Sequence, residues 1–259
     1  MTRDNRLIPL GLAAVVSMLA ACTEQQPAPD ETQPAGAPIA GEEATSHTSE
    51  VAVHMGEHFW ELADAHDAAI EGNLDGIREA TRWLADHDPV EGLPEAGLPY
   101  VAALRAESAR TAEAANLAEA ATGLSRVAAS CGACHQALEV PLPTVVDQDP
   151  PGGDDLGSQM STHIRAADLM WEALIAPSED AWQSGIALLS SVDVLPSAVT
   201  DTPEEEQVVS DLLDRVRAVA EAGGATDAGE RPALYGQLVA TCGQCHSALG
   251  RGFDPDPGA

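Results

Sequence analysis

Apolar residues recur at helical spacing along most of the chain, in blocks broken by Gly, Pro and Asn. Met55, His58 or Phe59, Leu62, His66 and Ala69 form one stripe, which predicts a helix that Gly72-Asn73 ends. Asp75 to Asp86, containing Trp83, predicts a second helix. A Pro- and Gly-rich loop from Pro89 to Pro99 leads to a third helix from Tyr100 to about Ala115, and Leu117 to Leu138 predicts a fourth. The plan then recurs. Leu156, Met160, His163, Ala167, Met170 and Leu174 share one face of a fifth helix, and Pro177-Ser178 caps the next. Thr202-Pro203-Glu204-Glu205 has the form of a capping box with Pro at the first helical position, while Pro232 opens the last helix and Gly250 ends it. The expected fold class is all-α, with two tandem four-helix-bundle units.

The recurrence extends to individual residues. Met55-Gly56-Glu57-His58 returns as Met160-Ser161-Thr162-His163, at an offset of 160 − 55 = 105. Ala68-Ala69-Ile70 meets Ala173-Leu174-Ile175, and Asp75 meets Asp180, at the same offset. A second landmark, built on cysteine, repeats at 242 − 131 = 111, so the second copy carries six extra residues between its landmarks. The expected units are residues 48–146 and 155–252, joined by a Pro-, Gly- and Asp-rich linker at 147–154 and followed by a tail at 253–259.

The N-terminus reads differently. Arg3 and Arg6 precede an apolar run from Leu7 to Ala21, too short for a membrane span, so residues 1–21 read as a signal peptide. The run ends in Leu19-Ala20-Ala21-Cys22, which resembles a bacterial lipobox and implies lipidation of Cys22 as the first mature residue. Thr23 stands where an Asp would signal inner-membrane retention. The resemblance therefore implies a periplasmic protein anchored to the outer rather than the inner membrane. Residues 22–47, with Pro27, Pro29, Pro34 and Pro38, show no regular period and are expected to form a flexible tether.

Charge narrows the function classes. The chain has 12 basic residues, all Arg, and 42 acidic ones, a net charge of −30. Loss of residues 1–21 would take two Arg and Asp4, leaving 10 − 41 = −31. Phosphate backbones need clustered cations, so a nucleic-acid partner is excluded, as is docking on anionic lipid through the protein's own charge. A basic docking face on a redox partner fits such a field, and so does a salty habitat. Four Trp, two Tyr and two Phe leave a core of Ala, Leu and Val, or one that borrows bulk from a cofactor.

Cysteine supplies the candidate chemistry. Apart from Cys22, the four cysteines fall as Cys131-Gly132-Ala133-Cys134-His135 and Cys242-Gly243-Gln244-Cys245-His246. Each is C-x-x-C-H, the attachment signature of c-type haem. Two thiols three residues apart on a helix reach the two vinyl groups of one porphyrin, and the adjacent His faces the iron. A zinc site built from the four thiols would leave both His residues unexplained. Two covalent haems c are expected, on Cys131 and Cys134 and on Cys242 and Cys245, with His135 and His246 as proximal ligands.

A four-helix unit with C-x-x-C-H on its last helix resembles the class II cytochromes c, the family of cytochrome c prime and its low-spin relatives. The resemblance covers both units. It rests on the C-terminal haem motif and on Met55-Gly56-Glu57 in the first helix, where low-spin members carry a distal Met. It departs after the haem His: Gln136-Ala137-Leu138-Glu139 and Ser247-Ala248-Leu249-Gly250-Arg251 stand where the family often has an aromatic and then a basic residue. Class I cytochromes c instead bring a distal Met from far downstream of the haem motif. Only 259 − 246 = 13 residues follow His246, without Met or His, so any sixth ligand of the second haem is expected from upstream.

The distal candidates are few. The second unit holds only His163 besides His246, and only Met160 and Met170. The Met-x-x-His pair alone repeats in both units, and its spacing puts both side chains on one helix face. Resemblance to the family points to Met55 and Met160, whereas ligand strength points to His58 and His163, which we favour. His47, His54, His66 and His87 have no histidine counterpart in the second unit and receive no role. The function expected is electron transfer between redox proteins by a lipid-anchored dihaem cytochrome, not enzymatic catalysis. If the distal residue stays off the iron, the alternative is five-coordinate binding or sensing of small gases such as NO or CO.

Overall fold

The computed structural model describes residues 40–142 and 153–251, with side chains from Glu50 onward in the first helix. The described residues hold eight α-helices and two single 3-10 turns, with no strand. The helices are α1 (Ala40–Glu71), α2 (Leu74–Asp86), α3 (Leu98–Ala112), α4 (Leu117–Ala137), α5 (Leu156–Ile175), α6 (Glu179–Ser191), α7 (Pro203–Gly223) and α8 (Arg231–Ala248). The chain is therefore all-α, as its periodicity predicts.

Local chemistry sets the helix ends. The side chains of Asn73, Asn116, Asp155 and Ser178 accept from the backbone N–H groups of Gly76, Glu119, Ser158 and Ala181, capping α2, α4, α5 and α6. Thr202 and Glu205 form the expected capping box at α7, with Pro203 in its first turn. Gly72, at φ 79°, takes the left-handed conformation that stops α1.

One boundary differs from expectation. Residues 40–47, expected in the tether, are helical and belong to α1. Pro38 is the last proline of the N-terminal run, and Ala40-Gly41-Glu42-Glu43-Ala44 beyond it contains good helix formers, so little opposes extension of the helix. The expected signal peptide at 1–21, Cys22, the rest of the expected tether, residues 147–152 of the expected linker and the expected tail at 253–259 lie outside the described residues. Among the described residues no helix is long and apolar enough to cross a membrane.

Burial reproduces the duplication. Leu62, His66 and Ala69 of α1 are buried, as are Ala167, Trp171 and Leu174 of α5 at the offset of 105. Ile77 and Leu84 of α2 match Trp182 and Leu189 of α6 in the same way. Leu104, Ser108, Thr111 and Ala112 of α3 match Leu212, Val216, Val219 and Ala220 of α7, now at 212 − 104 = 108. Leu124 and Val127 of α4 then match Tyr235 and Leu238 of α8 at 235 − 124 = 111. The six extra residues lie in the third helix of the copy: α7 has 21 residues and α3 has 15.

The two halves do not separate. From Gly41 onward the described residues form one compact unit. Helix α4 packs on α8 and on α5, across the sequence repeat. Their approach is close: a Cβ on Gly236 of α8 would lie 2.5 Å from the Thr122 backbone of α4. His66 of α1 stacks on Trp171 of α5, its counterpart in the repeat, with ring centroids 4.5 Å apart. The same imidazole meets the buried Tyr235 hydroxyl of α8 through Nε2 at 2.6 Å. Three helices from both halves thus meet at one imidazole, whose polar contact with Tyr235 is satisfied inside an apolar core.

Candidate functional site

Both C-x-x-C-H motifs lie in the last turns of their helices, Cys131 to His135 in α4 and Cys242 to His246 in α8. The four thiols are unpaired and half-buried. Burial pushes the Cys131 and Cys242 thiols up to about 12 and also raises those of Cys134 and Cys245. A redox-active dithiol needs the opposite shift, towards the thiolate, so the surroundings do not favour a dithiol redox pair.

The motif histidines are already oriented. His135 Nδ1 lies 3.0 Å from the Ile175 carbonyl, and His246 Nδ1 lies 2.9 Å from the Ile70 carbonyl. A carbonyl can only accept, so each Nδ1 carries a proton, and it is Nε2 whose lone pair can serve a ligand. Ile175 ends α5 and Ile70 lies in the last turn of α1. Carbonyls at a helix C-terminus have no partner within the helix, which leaves them available. The donors cross the repeat: the first-half histidine is held by the second half, and the reverse.

The glycine of each motif makes this crossing possible. A Cβ on Gly132 would lie 2.1 Å from the Leu174 carbonyl oxygen of α5. A Cβ on Gly243 would lie 2.6 Å from the Ala69 carbonyl oxygen of α1 and 2.9 Å from Gly72 Cα. The two contacts are equivalent under the repeat.

The favoured distal candidates lie on α1 and α5. His58 Nε2 and His163 Nε2 are both buried, and neither has a hydrogen-bond partner. Burial pushes His163 down to about 4, and His246 nearby adds to the shift. His58 is likewise lowered to about 4, by burial first and then by His54 and His87. Leaving a polar atom buried and unpaired costs about 1–3 kcal/mol, so each such atom calls for a partner, and a bound ligand is one kind of partner. A neutral imidazole with a free Nε2 on His163, close to His246 of the second motif, fits the donor set of haem c, and His58 is its equivalent in the repeat. Met55 and Met160 are half-buried beside them on the same helices. Met170 is fully buried, its Cγ lying 2.7 Å from where a Cβ on Gly185 would be, and belongs to the core. Phe59 is 49% exposed, so His58 continues the inward stripe of α1.

These shifts make the folded chain acid-sensitive. Above pH 6.5, the ordinary histidine value, both imidazoles are neutral whether the chain is folded or not. Between 6.5 and about 4 the unfolded chain takes up protons that the folded chain does not, so stability falls as pH falls through that window. With all four motif cysteines changed to Ala, melts followed by circular dichroism should show a lower midpoint at about pH 4.5 than at pH 7. Equal midpoints would contradict the burial of these imidazoles.

The structure also gathers residues that the repeat does not flag. His54, His58 and His87 bring ligand nitrogens within 4.8 Å of one another. His54 and His58 are one turn apart on α1, a spacing visible in the sequence, but His87 arrives from the C-cap of α2 and only the fold adds it. Its ring stacks on Trp83 with centroids 4.0 Å apart. At the same offset of 105, Gln159 and Val192 stand in place of His54 and His87, which is why comparison of the halves passes over them.

The chain matches no protein-family model, no curated protein and no solved structure.

Proposed function

We propose that the chain is a dihaem c-type cytochrome that carries electrons between redox proteins, built as two four-helix units akin to the class II cytochromes c. The observation that carries this reading is the equivalence of the two C-x-x-C-H motifs. Each ends a helix, and each has a His whose Nδ1 is tied to a carbonyl of the other half. Haem, when bound, supplies a one-electron iron couple. Cys131 and Cys134, and Cys242 and Cys245, would hold the porphyrins as thioethers. His135 and His246 would present Nε2 to the irons, their tautomers set by Ile175 and Ile70. His58 and His163 would fill the sixth positions, which their unpaired buried nitrogens support.

With both axial positions taken, no open site is left for substrate, so the proposed role is carrier rather than enzyme. The net charge of −30 suits partners with a basic docking face, drawn in by the protein's field. Lipidation of Cys22 would hold the protein in the periplasm at a membrane, the outer one by its Thr23 neighbour.

The test is a pyridine haemochrome assay against protein mass, on protein matured by a c-type haem attachment system. Two haems per chain are expected, and one after Cys131→Ala with Cys134→Ala. A wild-type count of zero or one refutes the proposal.

A further inference from the structure

We infer that His54, His87 and Glu57 form a separate site for one divalent transition-metal ion of the zinc type, beside His58. The inference leans on the proposed function only in leaving His58 to a haem iron. His54 Nδ1 and His87 Nε2 lie 3.2 Å apart. Glu57 Oε2 lies 3.6 Å from the same His87 nitrogen. Two nitrogens bound tetrahedrally to one zinc at about 2.0–2.1 Å sit roughly 3.3–3.4 Å apart. The observed separation is within a few tenths of an ångström of that value. A shared proton would account for the imidazole pair, but His87 Nε2 can donate only once and two acceptors face it. An ion held by both imidazoles removes that competition, with Glu57 near enough to His87 to join them.

The scaffold is preorganised. His54 and Glu57 are three apart on α1 and so share a face. His87 is fixed at the C-cap of α2, where its backbone N–H donates to the Trp83 carbonyl and its ring lies on Trp83 at an interplanar angle of 22°. Two imidazoles and one carboxylate suit zinc and its neighbours among the first-row ions. Calcium and magnesium want more oxygen ligands. Three protein ligands also leave a fourth position for water.

The site belongs to one half only. The counterparts of His54, Glu57 and His87 are Gln159, Thr162 and Val192, at 159 − 54 = 162 − 57 = 192 − 87 = 105. Those three line a cavity of about 500 Å³ and offer neither imidazole nor carboxylate. One equivalent of metal per chain is therefore expected.

The experiment titrates Zn²⁺ into the intact haem-loaded protein, stripped of metal by chelator and gel filtration, and reads heat and the haem spectrum together. One saturable equivalent is expected, with no change in haem spin state. His54→Ala and His87→Ala should each weaken binding by about 100-fold or more, beyond the 10–100-fold typical of residues that only support ligands. Glu57→Gln should also weaken it, and Gln159→Ala should not. If an alanine variant melts early, His54→Gln or His87→Gln replaces it. Absence of a saturable equivalent overturns the inference, as does binding that survives loss of both histidines. Binding that needs both histidines but turns a haem high-spin also overturns it, because His58 would then have left iron for zinc. A haemochrome count of zero would sink the haem proposal alone, and the zinc stoichiometry would still decide this one.

Discussion

His163→Ala should turn one of the two proposed haems high-spin, or switch it to neighbouring Met160 with a raised potential, while Met160→Leu should change little. His163 is the only imidazole in the second half besides His246. Its Nε2 is buried and unpaired, and His246 is close enough to lower its proton affinity further. Removing the imidazole takes away the only donor of its kind on that face. Met160→Leu exchanges one apolar side chain for another of similar volume, a change that usually costs less than about 1.5 kcal/mol. Optical spectra of both variants, oxidised and reduced, make the check. A high-spin haem in Met160→Leu with ligation intact in His163→Ala would assign the sixth position to Met160, and by the repeat to Met55. A wild type already high-spin, and indifferent to both changes, would point to an open pocket and to gas binding in place of electron transfer. His58→Ala provides the same reading for the first half.

Gly132→Ala and Gly243→Ala should each destabilise the protein by about 3 kcal/mol, at the upper end of the usual cost of overpacking. The added methyl would meet backbone rather than a flexible side chain: the Leu174 carbonyl at 2.1 Å in one case, the Ala69 carbonyl at 2.6 Å in the other. Relief requires the end of α5 or α1 to move away. That end also carries the carbonyl that holds His135 or His246, so the same change loosens a motif histidine. For a chain of this size 1 kcal/mol shifts the midpoint by about 2–4 °C, so a loss of roughly 6–12 °C is expected for each variant. Gly224→Ala is the control. Gly224 has an αR conformation, with nothing within 4 Å of the added Cβ, and its midpoint should hold or rise slightly. Unchanged melting of Gly132→Ala and Gly243→Ala would mean that the crossings are looser than described.

The helices were legible in the sequence because their signals are local. Spacing near 3.6 residues, the caps at Ser178 and Thr202, and the break at Gly72-Asn73 each act within a few residues of where they stand. The repeat was legible too, since both halves bury the same positions, and it singled out His58 and His163 by their recurrence. Locality also explains the one displaced boundary. The prolines that suggest a tether end at Pro38, and composition averaged over the segment hides the helix formers that follow.

What the repeat could not disclose is how its copies meet. Similar halves read as two separate units, but the end of α5 lies on the first motif and the end of α1 on the second. Those crossings join residues more than a hundred positions apart in one case and forty in the other. No periodicity encodes such pairs, because they arise from helix faces fitting against each other. The same limit hid His54 and His87: repetition selects what both halves share, whereas this cluster exists in one half and is completed by a turn at the end of another helix. The sequence determined which residues can carry the chemistry and which helices bear them. Tertiary packing decided which imidazole nitrogens carry the proton, which are left buried without a partner, and that each motif is held in place by the opposite half, because hydrogen-bond partners and burial depend on distances that only the folded chain creates.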